Sequence, residues 1–139
     1  MRLLVRPSGR TRRGTAAVEF ALLLPFILFV FALGTDWCRI FYATHVVEDC
    51  ARSGALAASG IAYQERDLSE AERAARGKSE ALKDATNLKP SLSEGDITVS
   101  TSGNYVTVTV RHDFKAIVPY LRSDRTWALS HSVRMPVLP

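Results

Sequence analysis

The sequence predicts an α+β chain: a long N-terminal helix, transmembrane in its first half and amphipathic beyond, then a short helix and a small antiparallel β-sheet. Three observations carry this reading. Residues 15 to 34 form an apolar run whose only charged residue is Glu19. From Trp37 to Ala58, apolar and small residues recur at spacings of three and four. After Pro90 the period changes to two: Ile97 and Val99, then Val106, Val108 and Val110, alternate with Thr and Ser.

The elements follow in order. Residues 1 to 14 carry Arg2, Arg6, Arg10, Arg12 and Arg13 with Pro7, Gly9 and Gly14. They show no apolar periodicity and are expected to form an unstructured basic leader. Residues 15 to 34, as a helix, span ~30 Å, the thickness of a bilayer hydrocarbon core. Their apolar side chains point all round, so this is a membrane segment and not one face of a core helix. Pro25 leaves the carbonyl of Ala21 without its usual donor, and a helix kink is expected there.

Residues 35 to 139 supply the rest of the fold. Trp37, Ile40, Phe41, Thr44, Val47, Ala51, Ala55 and Ala58 define one helical stripe, with Arg39, Glu48, Asp49 and Arg52 mostly off it. Trp37 and Tyr42 are expected near the membrane interface, where such rings are favoured. Ser53, Gly54, Ala55, Ala57 and Ala58 permit close packing, and Ser59-Gly60 offers a stop. One rod over residues 15 to 59 measures ~68 Å, with Pro25 and Gly34 as places to bend. A second helix is expected from Ser69 to Thr86, because Ser69 and Glu72 fit a capping box. Its thin apolar face is Ala71, Ala74, Ala75, Leu82 and Ala85, and Gly77 weakens it. Glu70, Glu72, Arg73 and Arg76 read as a solvated face of alternating charge. Ser102-Gly103-Asn104 marks a hairpin turn. A third strand is expected from Thr126 to Val133, with Trp127, Leu129, His131 and Val133 on one face. Lys115 to Leu121 joins the strands, and Pro119 there argues against a central strand.

Charge placement narrows the function. The formal net charge is +4, from 18 basic and 14 acidic residues. Five arginines precede Glu19, so the remaining 13 basic residues nearly balance the acids. The basic character belongs to the tail ahead of the apolar run, the flank that stays cytoplasmic, and nucleic acid is not an expected partner. Cys38 and Cys50, on one helix, lie ~18 Å apart along its axis, beyond disulfide reach. Cys38 is a candidate intermolecular contact. No third and fourth ligands appear at metal-site spacing. Gly77-Lys78-Ser79 echoes a phosphate-binding loop, but the earlier glycine is missing and no strand precedes it. His45, His112 and His131 are scattered. No catalytic constellation, cofactor site or small-molecule substrate is expected, and the chain does not read as an enzyme.

Glu19 carries the functional signal. A carboxylate inside a membrane segment costs about 2.5–3.5 kcal/mol on insertion scales, so a partner is expected. If the chain is cut after Gly14, Thr15 becomes the N-terminus and Glu19 its fifth residue. The new α-amine, protonated near neutral pH, lies four residues from Glu19 on the same helical face.

This arrangement resembles the processing site of type IV pilins and pseudopilins, where a basic leader ends in Gly and the fifth mature residue is Glu followed by an aromatic, here Phe20. The run Arg12-Arg13-Gly14-Thr15-Ala16-Ala17-Val18-Glu19-Phe20-Ala21-Leu22, continuing through Leu24-Pro25, is similar to the TadE-like family of Tad pilus proteins. The specific resemblance covers residues 12 to 58. It implies cleavage between Gly14 and Thr15 by a prepilin peptidase, with Glu19 and Phe20 aligning subunits during assembly. It also implies a single-pass protein of the bacterial inner membrane, its N-terminus cytoplasmic and residues 35 to 139 a pilin-like extracytoplasmic domain. Implied partners are the lipid bilayer, other pilin-like subunits and the Tad inner-membrane assembly proteins, with the small-residue patch at Gly54 a candidate contact. The length of residues 15 to 139 favours a minor pseudopilin over the small main-fibre pilin. The rival reading is a conventional signal peptide with a cut at Ala32-Leu33-Gly34, releasing a binding module from Thr35; a plain single-span anchor is the other.

Overall fold

The computed structural model describes residues 12–64, 68–118 and 126–138, with side chains from Gly14 onward. The chain divides into two units, one ending at Thr35 and one beginning at Asp36. Helix α1, Arg12–Ser59, contributes to both and keeps its helical assignment through Pro25 and Gly34. It starts before Thr15, so the last leader residues are helical rather than unstructured. Arginine is a good helix former, and extending an existing helix is far easier than starting one. The expectation for residues 1–11 lies outside the described residues.

The first unit is the apolar part of α1. Its large side chains from Val18 to Phe31 are exposed, with Leu22 at 75 % and Phe31 at 74 %. Thr35 returns its hydroxyl to the carbonyl of Phe31 at 2.9 Å, as such residues do on helices.

The second unit is the α+β fold expected from the sequence. It combines the rest of α1 with α2 (Glu70–Asp84), β1 (Ile97–Ser102), β2 (Tyr105–Lys115) and β3 (Thr126–Pro136). The sheet is antiparallel in the order β1-β2-β3, with Ile97 opposite Val110 and His112 opposite Leu129. β2 runs past Val110 because His112 and Phe114 keep the alternation and are buried with Val106, Val108 and Val110. Gly103, at φ +58°, opens the two-residue hairpin loop between Ser102 and Tyr105; a positive φ at that position is what a type II′ turn demands. Of the connection after Lys115, residues 119–125 lie outside the described set.

The buried stripe of α1 keeps Val47, Ala51, Ala55 and Ala58 of the expected one, with Ile40 packed against the core, and departs from it near its start. Asp36, Ala43, Val47, Cys50, Ala51, Gly54, Ala55 and Ala58 face the core, whereas Trp37, Phe41 and Thr44 are exposed. Two adjacent helical stripes are both largely apolar here, and spacing alone does not choose between them.

α1 and α2 meet through glycine. A Cβ on Gly54 would lie 2.8 Å from the carbonyl oxygen of Gly77 and 3.1 Å from the Cβ of Ala81. One on Gly77 would lie 3.1 Å from the Cβ of Ala58. Gly77 is thus a contact point and not a weakness on a surface helix. Its neighbours Arg73 and Ala81 are buried on the same face, four residues to either side. Ser69 accepts from the amide of Glu72, completing the expected capping box.

Arg73 corrects the reading of a fully solvated charged face. Its Nη1 donates to the carbonyls of Ala58 and Ser59, each at 3.2 Å, and its Nε to that of Leu68 at 3.0 Å. The last carbonyls of α1 have no partner within the helix; a guanidinium supplies several donors in a fixed fork. The amide of Leu138 donates to Ser59 as well, and Gly60, at φ +81°, ends the helix in the left-handed conformation.

Candidate functional site

Two sets of residues carry chemistry that the core does not use. The first lies on the apolar helix. Gly14, Thr15, Glu19 and Phe20 are all exposed on its opening turns. A Cβ on Gly14 would meet nothing within 4 Å, so packing does not demand a glycine there. The four-residue spacing keeps Thr15 and Glu19 on one face, and Phe20 is 60 % exposed. Pro25 lies within α1. This uncovered helix fits a single-pass membrane anchor by length and composition.

The second set belongs to the folded unit and was not anticipated. Asp36 is the first residue of that unit, and its side chain is fully buried. Its carboxylate accepts from the amide of Ile117 at 2.8 and 3.1 Å and from the amide of Val118 at 2.9 Å. Arg39, one helical turn on, donates Nη1 to Oδ1 at 2.8 Å. The guanidinium also reaches the carbonyl of Lys115 at 3.4 Å and stacks over the Phe114 ring at 5.1 Å. One carboxylate therefore ties the end of β2 and the loop after it to the helix. Charge-assisted bonds of this kind are the stronger ones. The only sequence signal for it was an acid three residues before an arginine, just beyond an apolar run.

The remaining predicted residues separate. Cys38 is an exposed free thiol, and Cys50 is buried and free. Burial, then the charges of Asp84 and Asp49, push the Cys50 thiol up to about 11, which keeps it protonated and unreactive. Gly54 is buried against α2 and β2 of its own chain. His112 is buried in β2 with Nε2 unpartnered among the described residues. Its imidazole is held below the usual histidine range by burial, with Asp113 and Asp96 opposing that shift.

Comparison with known proteins bears on the first set. Residues 14–56 match the family described as TadE-like protein, the family that the Gly14 to Pro25 run resembles. The match points to a Tad pilus-associated, pseudopilin-type component, which is a structural role. It covers 43 of the 139 residues, so it speaks for α1 and not for α2 or the sheet. No curated protein and no solved structure matches the chain.

Proposed function

We propose that this chain is a minor pseudopilin of a bacterial Tad pilus. A prepilin peptidase cuts it after Gly14 and leaves the apolar helix as an anchor and assembly stem. The observation that carries the reading is the wholly exposed apolar helix that opens with Gly14-Thr15 and holds Glu19 and Phe20. An uncovered apolar surface of this extent calls for lipid or other apolar helices around it. Glu19 needs a cation at membrane depth, and the freed amine of Thr15, on its own or a neighbouring subunit, supplies one. The basic residues Arg12 and Arg13 keep the cut end cytoplasmic, which puts the folded unit outside the inner membrane. There, other pilin-like subunits and Tad assembly proteins meet the stem.

Membrane extraction and piliation test this in the native host. Alkaline carbonate should leave the chain in the membrane pellet, and Glu19→Ala should reduce surface pili at unchanged protein level. Full piliation in a strain lacking the chain would sink the proposal. One observation favours the rival reading of a secreted module: the folded unit begins at Asp36, next to the alternative cut at Gly34. Continuity of the helix through Gly34 weighs the other way.

A further inference from the structure

We infer that the bond after Gly14 is cut from a locally unwound opening turn of α1, and that Gly14 marks the cut by making that unwinding easy. The inference rests on the proposed cleavage between Gly14 and Thr15. That bond lies inside a helix: α1 runs from Arg12 and is helical at Gly14, Thr15 and onward. In an α-helix the carbonyl of one residue accepts from the amide four residues on. The carbonyl of Gly14 is therefore taken by the amide of Val18, and that of Thr15 by Glu19. Hydrolysis adds water across the Gly14–Thr15 peptide and leaves a carboxylate on Gly14 and an amine on Thr15. On the way, the carbonyl oxygen of Gly14 gains charge that donors of the peptidase must receive. An oxygen committed to Val18 and shielded by the next turn does not meet them, so the turn opens first.

The residues of that turn show what resists the opening. Gly14, Ala16 and Ala17 are exposed, so the turn is secured chiefly by its own backbone bonds. A Cβ on Gly14 would meet nothing within 4 Å, and packing therefore does not select glycine there. Helix propensity does distinguish it. Proline aside, glycine is the residue a helix holds least, and alanine at an interior position favours the helix by up to about fivefold. With Ala16 and Ala17 beside it, Gly14 is the weak point of the opening turn. Helix–coil exchange takes about 0.1–1 μs, whereas enzymes turn over about 1–10³ times per second. Opening and closing are thus balanced long before each cut, and the rate of cutting follows the open population.

The test follows the full chain in membranes that hold an active prepilin peptidase, and mass spectrometry reads the fraction beginning at Thr15 over time. Gly14→Ala should slow the cut by up to about fivefold. Alanine is the substitution of choice because a larger side chain would add bulk at the peptidase to the same helix cost. Ala17→Gly placed on top of Gly14→Ala should return the rate close to wild type, since it loosens the same turn from three residues away. Ala16→Gly should do the same. Hydrogen exchange at the Val18 amide, measured in micelles without peptidase, should slow in Gly14→Ala and recover in the double variants. A peptidase that reads residue 14 through a pocket fitted to glycine would cut both double variants as slowly as Gly14→Ala. That result overturns the inference and leaves the cut site standing, and so does Gly14→Ala cut at the wild-type rate. If the wild-type chain is never found beginning at Thr15, the processing reading and the inference fall together.

Discussion

Replacing Asp36 tests the physical account of the folded unit most sharply. In wild type its carboxylate takes the amides of Ile117 and Val118 and one arm of Arg39, all at 2.8–2.9 Å. Hydrogen bonds to a charged group contribute roughly 1.5–3 kcal/mol each. Asp36→Ala loses all three but also removes the several-kcal/mol cost of burying the carboxylate. Ile117 is more than half exposed, so water can reach its freed amide. The net loss should be about 2–4 kcal/mol. Asp36→Asn keeps one acceptor oxygen and should lose about half as much. Guanidinium unfolding of the full chain in detergent micelles gives the stabilities. Amide hydrogen exchange at Ile117 and Val118 reports the loop directly. A loss below about 0.5 kcal/mol, the level of an ordinary surface substitution, with exchange at both amides unchanged, would refute the argument.

Three further outcomes follow from the same geometry. Gly54→Val should destabilise the folded unit by roughly 1–3 kcal/mol through overpacking, since its first added carbon meets the Gly77 backbone at 2.8 Å; a melting temperature equal to wild type would show that the helices can separate freely. His112, buried with its imidazole held below the ordinary range of about 6.5, takes up its proton first in the unfolded chain as pH falls. Stability should therefore drop as pH falls below about 6.5, by no more than ~1.4 kcal/mol per pH unit, and level off below the folded value. Comparison with His112→Leu between pH 7 and 5 isolates this, and a constant difference across that range would contradict it. For the thiols, a maleimide at pH 7 should label one cysteine per folded chain, Cys38, and two after denaturation; rapid labelling of Cys50 in the native state would contradict its burial.

What the sequence revealed depended on how local the interactions are. The capping box of Ser69 and Glu72 lies within four residues, and the Val106-Val108-Val110 alternation carries its own register, so both were legible. The apolar stem was legible because a run of apolar residues on every side of a helix carries its own signal, and the helix is exposed along that run. Asp36 was not, because the amides it holds are 81 and 82 residues away and one buried acid has no periodicity. Arg73 was taken for solvent-facing because the α1 carbonyls it caps become its neighbours only after folding. Gly77 was read through helix propensity alone, although its value lies in the approach of Gly54. Trp37 and Phe41 were misplaced in the core-facing stripe, since helical spacing alone does not tell an exposed apolar side chain from a buried one.

The mature N-terminus tests the central claim most directly, measured by mass spectrometry on protein recovered from membranes of the native host. The account predicts a chain beginning at Thr15, with Gly14→Leu blocking the cut and leaving the leader in place. A chain beginning near Thr35 would show that the apolar helix is a removed signal. An intact Met1 beside an active prepilin peptidase would show an anchor with no pilin-type processing, and either result would contradict the account.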